Sequence, residues 1–305
     1  GDDPVQILIQ AAHQPDQRLD FIIAEAGQLA LRRAGLYENF LKIARYEDQG
    51  SRLYDKDGTL IFADDDADES DRPEVDRTAL RQMLLASLPA EMIRWDHGLH
   101  TVRPLDNGTY ELVLESGIAG PFDLVVGADG SWSRVRPLVS SYRPQYSGIT
   151  FIEFGIDDVD KSHPELAALV GRGKIGVEAD GSGLIEAGND HILPRPIHAL
   201  PVGHHWQNRL GITLLGDAAH VMSPFGGEGV NAAMLDAAEL ARQLLENEDW
   251  KVAVKTYEAE MFDRVIEPAE HAAEAVATEL SHLGAELTLP HCQAHLDARL
   301  QGSAA

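Results

Sequence analysis

Cysteine is almost missing from this sequence. Cys292 is the only one, so no internal disulfide can form, and a reducing cytoplasm is the expected compartment. Basic residues are also scarce. Lys and Arg number 25 against 50 Asp and Glu, a net charge of −25. Such a balance argues against nucleic-acid or anionic-membrane partners, which both need a basic patch. No apolar run is long enough to cross a bilayer, and the opening residues carry no basic-then-apolar signal. Internal repeats are absent. The acidic run 64–71 lacks the glycine and the ligand spacing of a calcium loop. It reads as a solvated loop, metal binding being the alternative.

What remains is a hydrophobic share of 44% over 305 residues, enough for one large domain or two. The most informative stretch is Gly211–Asn231, G-I-T-L-L-G-D-A-A-H-V-M-S-P-F-G-G-E-G-V-N. Ile212 to Leu215 is a short apolar run suited to a buried strand, and it stops at Gly216-Asp217. A loop follows with Pro224, Gly226, Gly227 and Gly229. Helical spacing of Val230, Met234, Ala237, Ala238, Ala241 and Leu245 then predicts a helix from about 230 to 245. Asp217, at the carboxyl end of a buried strand, is an acceptor-only group that suits a sugar or polyol hydroxyl. The glycines let backbone approach a ligand, and amides opening a helix face electron-rich groups. An ordinary strand–turn–helix connection would have the same composition.

The joint string G-D-A-A-H-x-M-x-P-x-x-G-x-G-x-N is more specific. It resembles the second FAD fingerprint of the group A flavoprotein monooxygenases, which include aromatic hydroxylases and tetracycline-inactivating oxygenases. Three other segments fall in that family's order. Leu19-Asp20 matches a strand-end pair lying near the flavin, ahead of a helical stretch 26–44 broken at Gly35. Arg77 follows the N-cap candidate Asp76 in a D-R-x-x-L-R pattern, and in the family this arginine reaches the flavin side chain. Read alone, Arg77 is a surface residue of a first helical turn. Gly127-Ala128-Asp129-Gly130, with Ser133, Val135 and Arg136 behind it, resembles the family's D-G motif, which takes part in FAD and pyridine-nucleotide binding.

The resemblance implies an α/β fold with a Rossmann-like FAD-binding sheet, a reduced β-rich substrate layer and a helical C-terminus. Residues 1–144 and 211–250 are the expected FAD-binding parts, 145–210 the substrate-covering layer and 251–305 the C-terminal helices. The expected cofactor contacts are Asp20, Arg77, Asp129, Gly130, Gly216, Asp217, Pro224, Gly227, Gly229 and Asn231, with no catalytic side chain assigned and no metal. The implied activity is monooxygenation of a small aromatic or polyketide-like molecule with NAD(P)H and O2. No counterpart of the family's strand–G-x-G-x-x-G–helix unit precedes Leu19. A truncated, non-catalytic binding module on the same fold is therefore the alternative reading.

Other signals do not fit their motifs. Gly171–Gly176 satisfies G-x-G-x-x-G but follows a helical stretch and runs into strand-like sequence, the wrong context for a dinucleotide loop. His291, Cys292 and His295 have zinc-like spacing without an evident fourth ligand. The W-x-W-x-I-P string of flavin-dependent halogenases is absent. Elsewhere the sequence predicts a hairpin at 52–63, strands at 92–95, 101–104, 110–115, 146–156, 174–177 and 183–187, and a helix at 164–170. Two further helices are expected over 252–283, with Pro268 breaking or kinking them.

Overall fold

The computed structural model describes residues 7–8, 20–46, 50–54, 59–64, 72–170, 173–177, 182–188 and 192–279, with 290, 293 and 294 beyond them. In chain order the elements are β1 (Ile7–Leu8), β2 (Asp20–Ile22), α1 (Glu25–Arg33), α2 (Tyr37–Phe40), β3 (Gly50–Tyr54), β4 (Leu60–Asp64), β5 (Glu74–Asp76), α3 (Arg77–Ala86), β6 (Ile93–Arg94), β7 (Leu99–Pro104), β8 (Tyr110–Leu114), β9 (Gly117–Phe122) and β10 (Val125–Gly127). There follow β11 (Gln145–Glu153), α4 (Val159–Ser162), α5 (Pro164–Val170), β12 (Gly173–Val177), α6 (Ser182–Ala187), β13 (Leu193–Ala199), β14 (Ile212–Leu214), α7 (Asp217–His220), α8 (Gly229–Glu246), α9 (Trp250–Arg264) and α10 (Ile266–Glu279). They form two compact units.

The first unit is assembled from Gly1–Ala44, Arg72–Gln145 and His198–Ala272. Its centre is β14, whose Ile212, Thr213 and Leu214 are all fully buried. β10 runs parallel beside it, Val125 opposite Ile212 and Gly127 opposite Leu214. The fit is tight, because a Cβ on Gly127 would lie 2.7 Å from the Leu214 side chain and 2.8 Å from that of Val135. The antiparallel sheet β7-β8-β9 adds Val102, Leu112 and Leu114 to the same core.

Helix α9 closes this core through Tyr257, whose hydroxyl donates to the Leu214 carbonyl at 3.0 Å. Beside it Glu258 accepts from Trp206 Nε1, Thr213 Oγ1 and Asn208 Nδ2 at 3.0, 2.9 and 2.8 Å. Burial pushes the Glu258 carboxyl above its ordinary range despite those donors.

A second cluster in the same unit gathers Ile23, Leu31, Phe40, Val75 and Leu80. It joins α1, α2 and α3 to the β2–β5 pair, in which Asp20 faces Asp76. Asp76 caps α3 as expected, its Oδ1 accepting the Ala79 amide at 2.7 Å. The break at Gly35 is also present, with φ at +69°.

In the second unit (Arg45–Asp71, Tyr146–Ile197 and Ala273–Ala305), β3 and β4 form the expected hairpin, and β12 joins β3 in parallel. The Tyr54 hydroxyl ties this sheet to the end of α5 through the Leu169 carbonyl, 3.1 Å away. β11 pairs with β13, and Arg195 pairs with Glu153.

Two segments differ from expectation. Residues 183–187, read as a strand, lie in helix α6. A short apolar run carries no usable period, so its length and composition misled. The helix closes where Gly188 donates to the Ile185 carbonyl at 3.1 Å, with the Phe154 ring 3.0 Å from the place of a Gly188 Cβ. The two helices expected over 252–283 are α9 and α10, and Pro268, in the first turn of α10 where a missing N–H costs nothing, goes with the break between them and kinks neither. β9 was not expected at all; it completes the hairpin after Leu114. His291, Cys292 and His295 lie outside the described residues.

Candidate functional site

Two parallel strands end side by side in the first unit, and each is followed by an aspartate. The Leu215 amide continues the ladder to the Gly127 carbonyl at 3.0 Å. Asp129 and Asp217 then emerge, both exposed, just beyond the carboxyl ends of β10 and β14. That is where open α/β sheets bind ligands. The Ser131 hydroxyl donates to Asp217 Oδ2 at 3.1 Å, while Oδ1 has no hydrogen bond among the described residues. Asp129 is committed locally, its Oδ2 accepting the Arg134 amide at 2.6 Å.

Arg136 holds these two loops together. Its Nε donates to the Ala218 carbonyl at 2.7 Å, Nη1 to Ser131 at 2.9 Å and Nη2 to Asp217 at 2.8 Å. Burial draws its guanidinium below the ordinary range, and the charges of Asp129 and Asp217 oppose that. Arg136 was visible in the S-x-V-R string, but nothing in the sequence said that it would point inward. A histidine performs a similar service for the next residue of α7. His204 donates from Nδ1 to the Ala219 carbonyl at 2.8 Å and accepts the Ser140 hydroxyl at Nε2, also 2.8 Å. Burial keeps it neutral, which fits that tautomer.

Gly216 makes the turn possible. Its φ of +57° and ψ of −142° lie outside the range of ordinary residues, and a Cβ there would come within 2.9 Å of the Ala233 side chain in α8. Asp217 therefore starts α7 with the turn pressed against α8.

The start of α8 carries no side-chain cap, so its first amides remain available to an outside acceptor. Of the loop glycines, Gly226 and Gly227 need positive φ, +90° and +68°. Gly229 does not; a Cβ there would meet only the Met222 side chain, at 4.0 Å. The Gly227 amide is already used by the Pro224 carbonyl at 3.0 Å. Available donors therefore begin after it. Arg72 braces the loop from outside through Glu228 Oε1, 2.7 Å away.

Asn231 is fully buried and spends its side chain inward. It accepts the Ala24 amide at 2.9 Å and donates to the Ile22 and Gly227 carbonyls, both at 3.0 Å. This fastens the β2–α1 junction to the start of α8. Gly27 must lack a side chain for it, since a Cβ there would sit 2.5 Å from Asn231 Oδ1. Asp20 lies in β2 next to Phe21, and the Arg77 guanidinium stands 5.3 Å over the Phe21 ring. Asp20 and Arg77 thus share one small arm of the unit, while Asp129, Gly130, Gly216 and Asp217 share the strand ends.

A cavity of ≈ 630 Å³ lies elsewhere, between α1 and α8, lined by Ala30, Ala34, Leu84, Ala237, Ala241 and Leu245 among others. Its walls are nearly all hydrocarbon and it contains none of the expected cofactor contacts, so it is no place for a polyol and a diphosphate. Among the described residues no group of His, Cys, Asp or Glu could hold a metal, and no helix is long and apolar enough to cross a membrane.

The residues fit the flavin and ribityl half of FAD. One exposed carboxylate oxygen is open to a hydroxyl, an uncapped helix start offers donors to a carbonyl or anionic ring edge, and Gly130 has open space where a side chain would stand.

The FAD binding domain family matches residues 202–267. A monooxygenase of Penicillium thymicola, penA, is 28% identical, over 72% of this chain and 72% of its own. Kynurenine 3-monooxygenase of Stenotrophomonas maltophilia is 25% identical, over 92% of this chain and 78% of its own. The fold matches HpxO of Klebsiella pneumoniae, solved with FAD and uric acid, with a TM-score of 0.70 over 94% of this chain and 85% of that one, at 19% identity.

Proposed function

We propose, from the premise that this chain belongs to the group A flavoprotein monooxygenases and is an FAD-dependent oxidoreductase, that it uses NAD(P)H and O2 to hydroxylate a small aromatic or polyketide-like molecule. The observation that carries the reading is the pair of exposed aspartates at the ends of β10 and β14, with the turn that carries Asp217 held by Gly216 against a helix with no side-chain cap. When bound, the flavin supplies the hydride acceptance and the oxygen chemistry. The protein's part is binding, orientation and electrostatics.

In this reading Asp217 accepts a ribityl hydroxyl through Oδ1. The α8 amides after Gly227 face the pyrimidine edge of the ring, where reduction places negative charge, at about 0.3–1 kcal/mol of stabilisation. Arg77 balances charge on the cofactor's side chain. Asp129 and Gly130 line the approach from the other strand end. Gly216, Pro224, Gly227 and Asn231 shape the loop and act on the cofactor through its backbone. Small aromatic or heteroaromatic substrates are the class suggested by the names of kynurenine 3-monooxygenase and of HpxO with uric acid.

The deciding experiment loads the protein with FAD and follows NADH and NADPH oxidation in air against a panel of aromatic and polyketide-like compounds. Substrate-stimulated oxidation with one oxygen atom gained by the product supports the reading. A protein that takes up FAD but oxidises neither nucleotide with any compound is a binding module instead.

A further inference from the structure

Helix α8 buries a charge on the face it turns to the core. Asp236 lies one turn after Ala232 and one before Leu240, and like them it is buried, with 0% exposure. An unpaired carboxylate there would be prohibitively costly. It is instead saturated. Oδ2 accepts the Gly216 amide at 3.0 Å and His220 Nε2 at 2.6 Å, and Oδ1 accepts Arg264 Nη2 at 2.9 Å. Since a carboxylate only accepts, His220 Nε2 must carry a proton. These donors hold the Asp236 carboxyl below its usual range although burial alone would raise it.

The three donors come from different places. Gly216 precedes Asp217, His220 closes the short helix α7, and Arg264 ends α9. One carboxylate therefore bonds both ends of the segment that carries Asp217, and it does so from within the helix whose start lies beside the same site. The Gly216–Ala233 contact sets how near the turn can come, and Asp236 sets its rotation and register. A simple core anchor would need no hydrogen bond to the one amide that precedes Asp217.

We propose that Asp236, supported by His220 and Arg264, is a positioning residue for the cofactor: it locks the Gly216–Asp217 turn in register with the first turn of α8, so that both engage a single FAD. The inference rests on the reading of Asp217 and the α8 start as flavin contacts. A backbone shift of an ångström at Gly216 would leave each contact intact by itself but unable to meet the same ligand.

The test uses the full chain stripped of FAD and re-titrated, with flavin fluorescence quenching for affinity and visible-region circular dichroism of the bound flavin for its setting. Asp217→Ala is the control for the site. Asp236→Asn should weaken FAD binding at least tenfold and change the visible dichroism of what binds. His220→Leu should do the same to a lesser degree. His220→Gln, which keeps a donor near the position of Nε2, should restore most of the affinity and the parental spectrum. If Asp236→Asn does not fold, the His220 pair decides. The proposal is overturned if Asp217→Ala loses FAD while the Asp236 and His220 variants bind it with parental affinity and spectrum, whatever their melting temperatures. It falls together with the site reading if Asp217→Ala itself binds normally.

Discussion

The guanidinium of Arg136 donates to the main-chain oxygen of Asp217 at 2.8 Å, so a residue beyond one strand end holds the aspartate beyond the other. Two more carbonyls, those of Ser131 and Ala218, depend on the same side chain. Arg136→Ala would leave three buried or half-buried acceptors unserved, where each bond to a charged group contributes about 1.5–3 kcal/mol. The expected outcome is a fall in melting temperature together with loss of FAD. Arg136→Lys should recover less than half of the stability, because a single ammonium cannot serve three diverging carbonyls. Thermal melts and FAD titration of both variants check this. A lysine variant as stable as the parent would mean that the fork geometry is irrelevant.

Gly229 and Gly227 should separate cofactor effects from backbone effects. A Cβ at Gly229 would meet only the Met222 side chain, at 4.0 Å. Gly229→Val should therefore leave the FAD-free protein nearly as stable as the parent while lowering the flavin's reduction potential or abolishing binding. Gly227 stands at φ +68°, so Gly227→Val should destabilise the protein itself by about 1–2 kcal/mol. Reductive titration and apoprotein melts distinguish the two. A Gly229→Val protein with normal affinity and potential would remove the α8 start from the site.

Arg77 and Arg81 make a controlled pair, because each stands over an aromatic ring, Phe21 at 5.3 Å and Trp95 at 5.7 Å. Loss of the ring contact should cost each about 0.5–1 kcal/mol. Only Arg77→Ala is expected to weaken FAD binding, by roughly tenfold if it contacts the diphosphate. Equal FAD affinities in Arg77→Ala, Arg81→Ala and Gln82→Ala would return Arg77 to the surface of α3.

Glu258 should give the stability profile a recognisable slope. Its folded-state pKa is raised by burial, so the stability it contributes is complete below the ordinary carboxyl range and is lost as pH rises through the raised value. Asp236 and His204, both lowered, act in the opposite sense: their contributions are present at neutral pH and disappear on acidification. Glu258→Gln should therefore raise the melting temperature at pH 8 relative to the parent and lose that advantage by about pH 4. An advantage of the same size at both pH values would show that Glu258 does not change protonation on unfolding.

Much of the strand–turn–helix unit was legible because its signals are local. An apolar run ending in Gly216-Asp217, glycines before a helix and the Asp76 cap all act within a few residues. What was not legible depends on pairing at a distance. The sequence leaves Asp236 off the stripe Val230, Met234, Ala237, Ala238, Ala241 and Leu245, whereas the structure buries it with Ala232 and Leu240; its partners Gly216, His220 and Arg264 become neighbours only once α7, α8 and α9 have packed. Asn231 is expected among the cofactor contacts, and the structure turns its side chain to Ala24, Ile22 and Gly227. Residues 183–187 and β9 are short segments whose state is set by what they pack against, so neither period nor composition could identify them.

The parallel pairing of Val125 with Ile212 also has a consequence for biosynthesis. The strand Val125–Gly127 leaves the ribosome long before its neighbour exists, and at roughly 5–20 residues per second it waits on the order of ten seconds for β14. Its hydrogen-bonding edge and the faces of Leu112 and Leu114 stay uncovered during that time, and closure needs α9 as well. The first unit is therefore completed only after residues 146–197 have emerged. Nascent chains halted before residue 212 should accordingly bind chaperones and aggregate, whereas chains released after Ala272 should not.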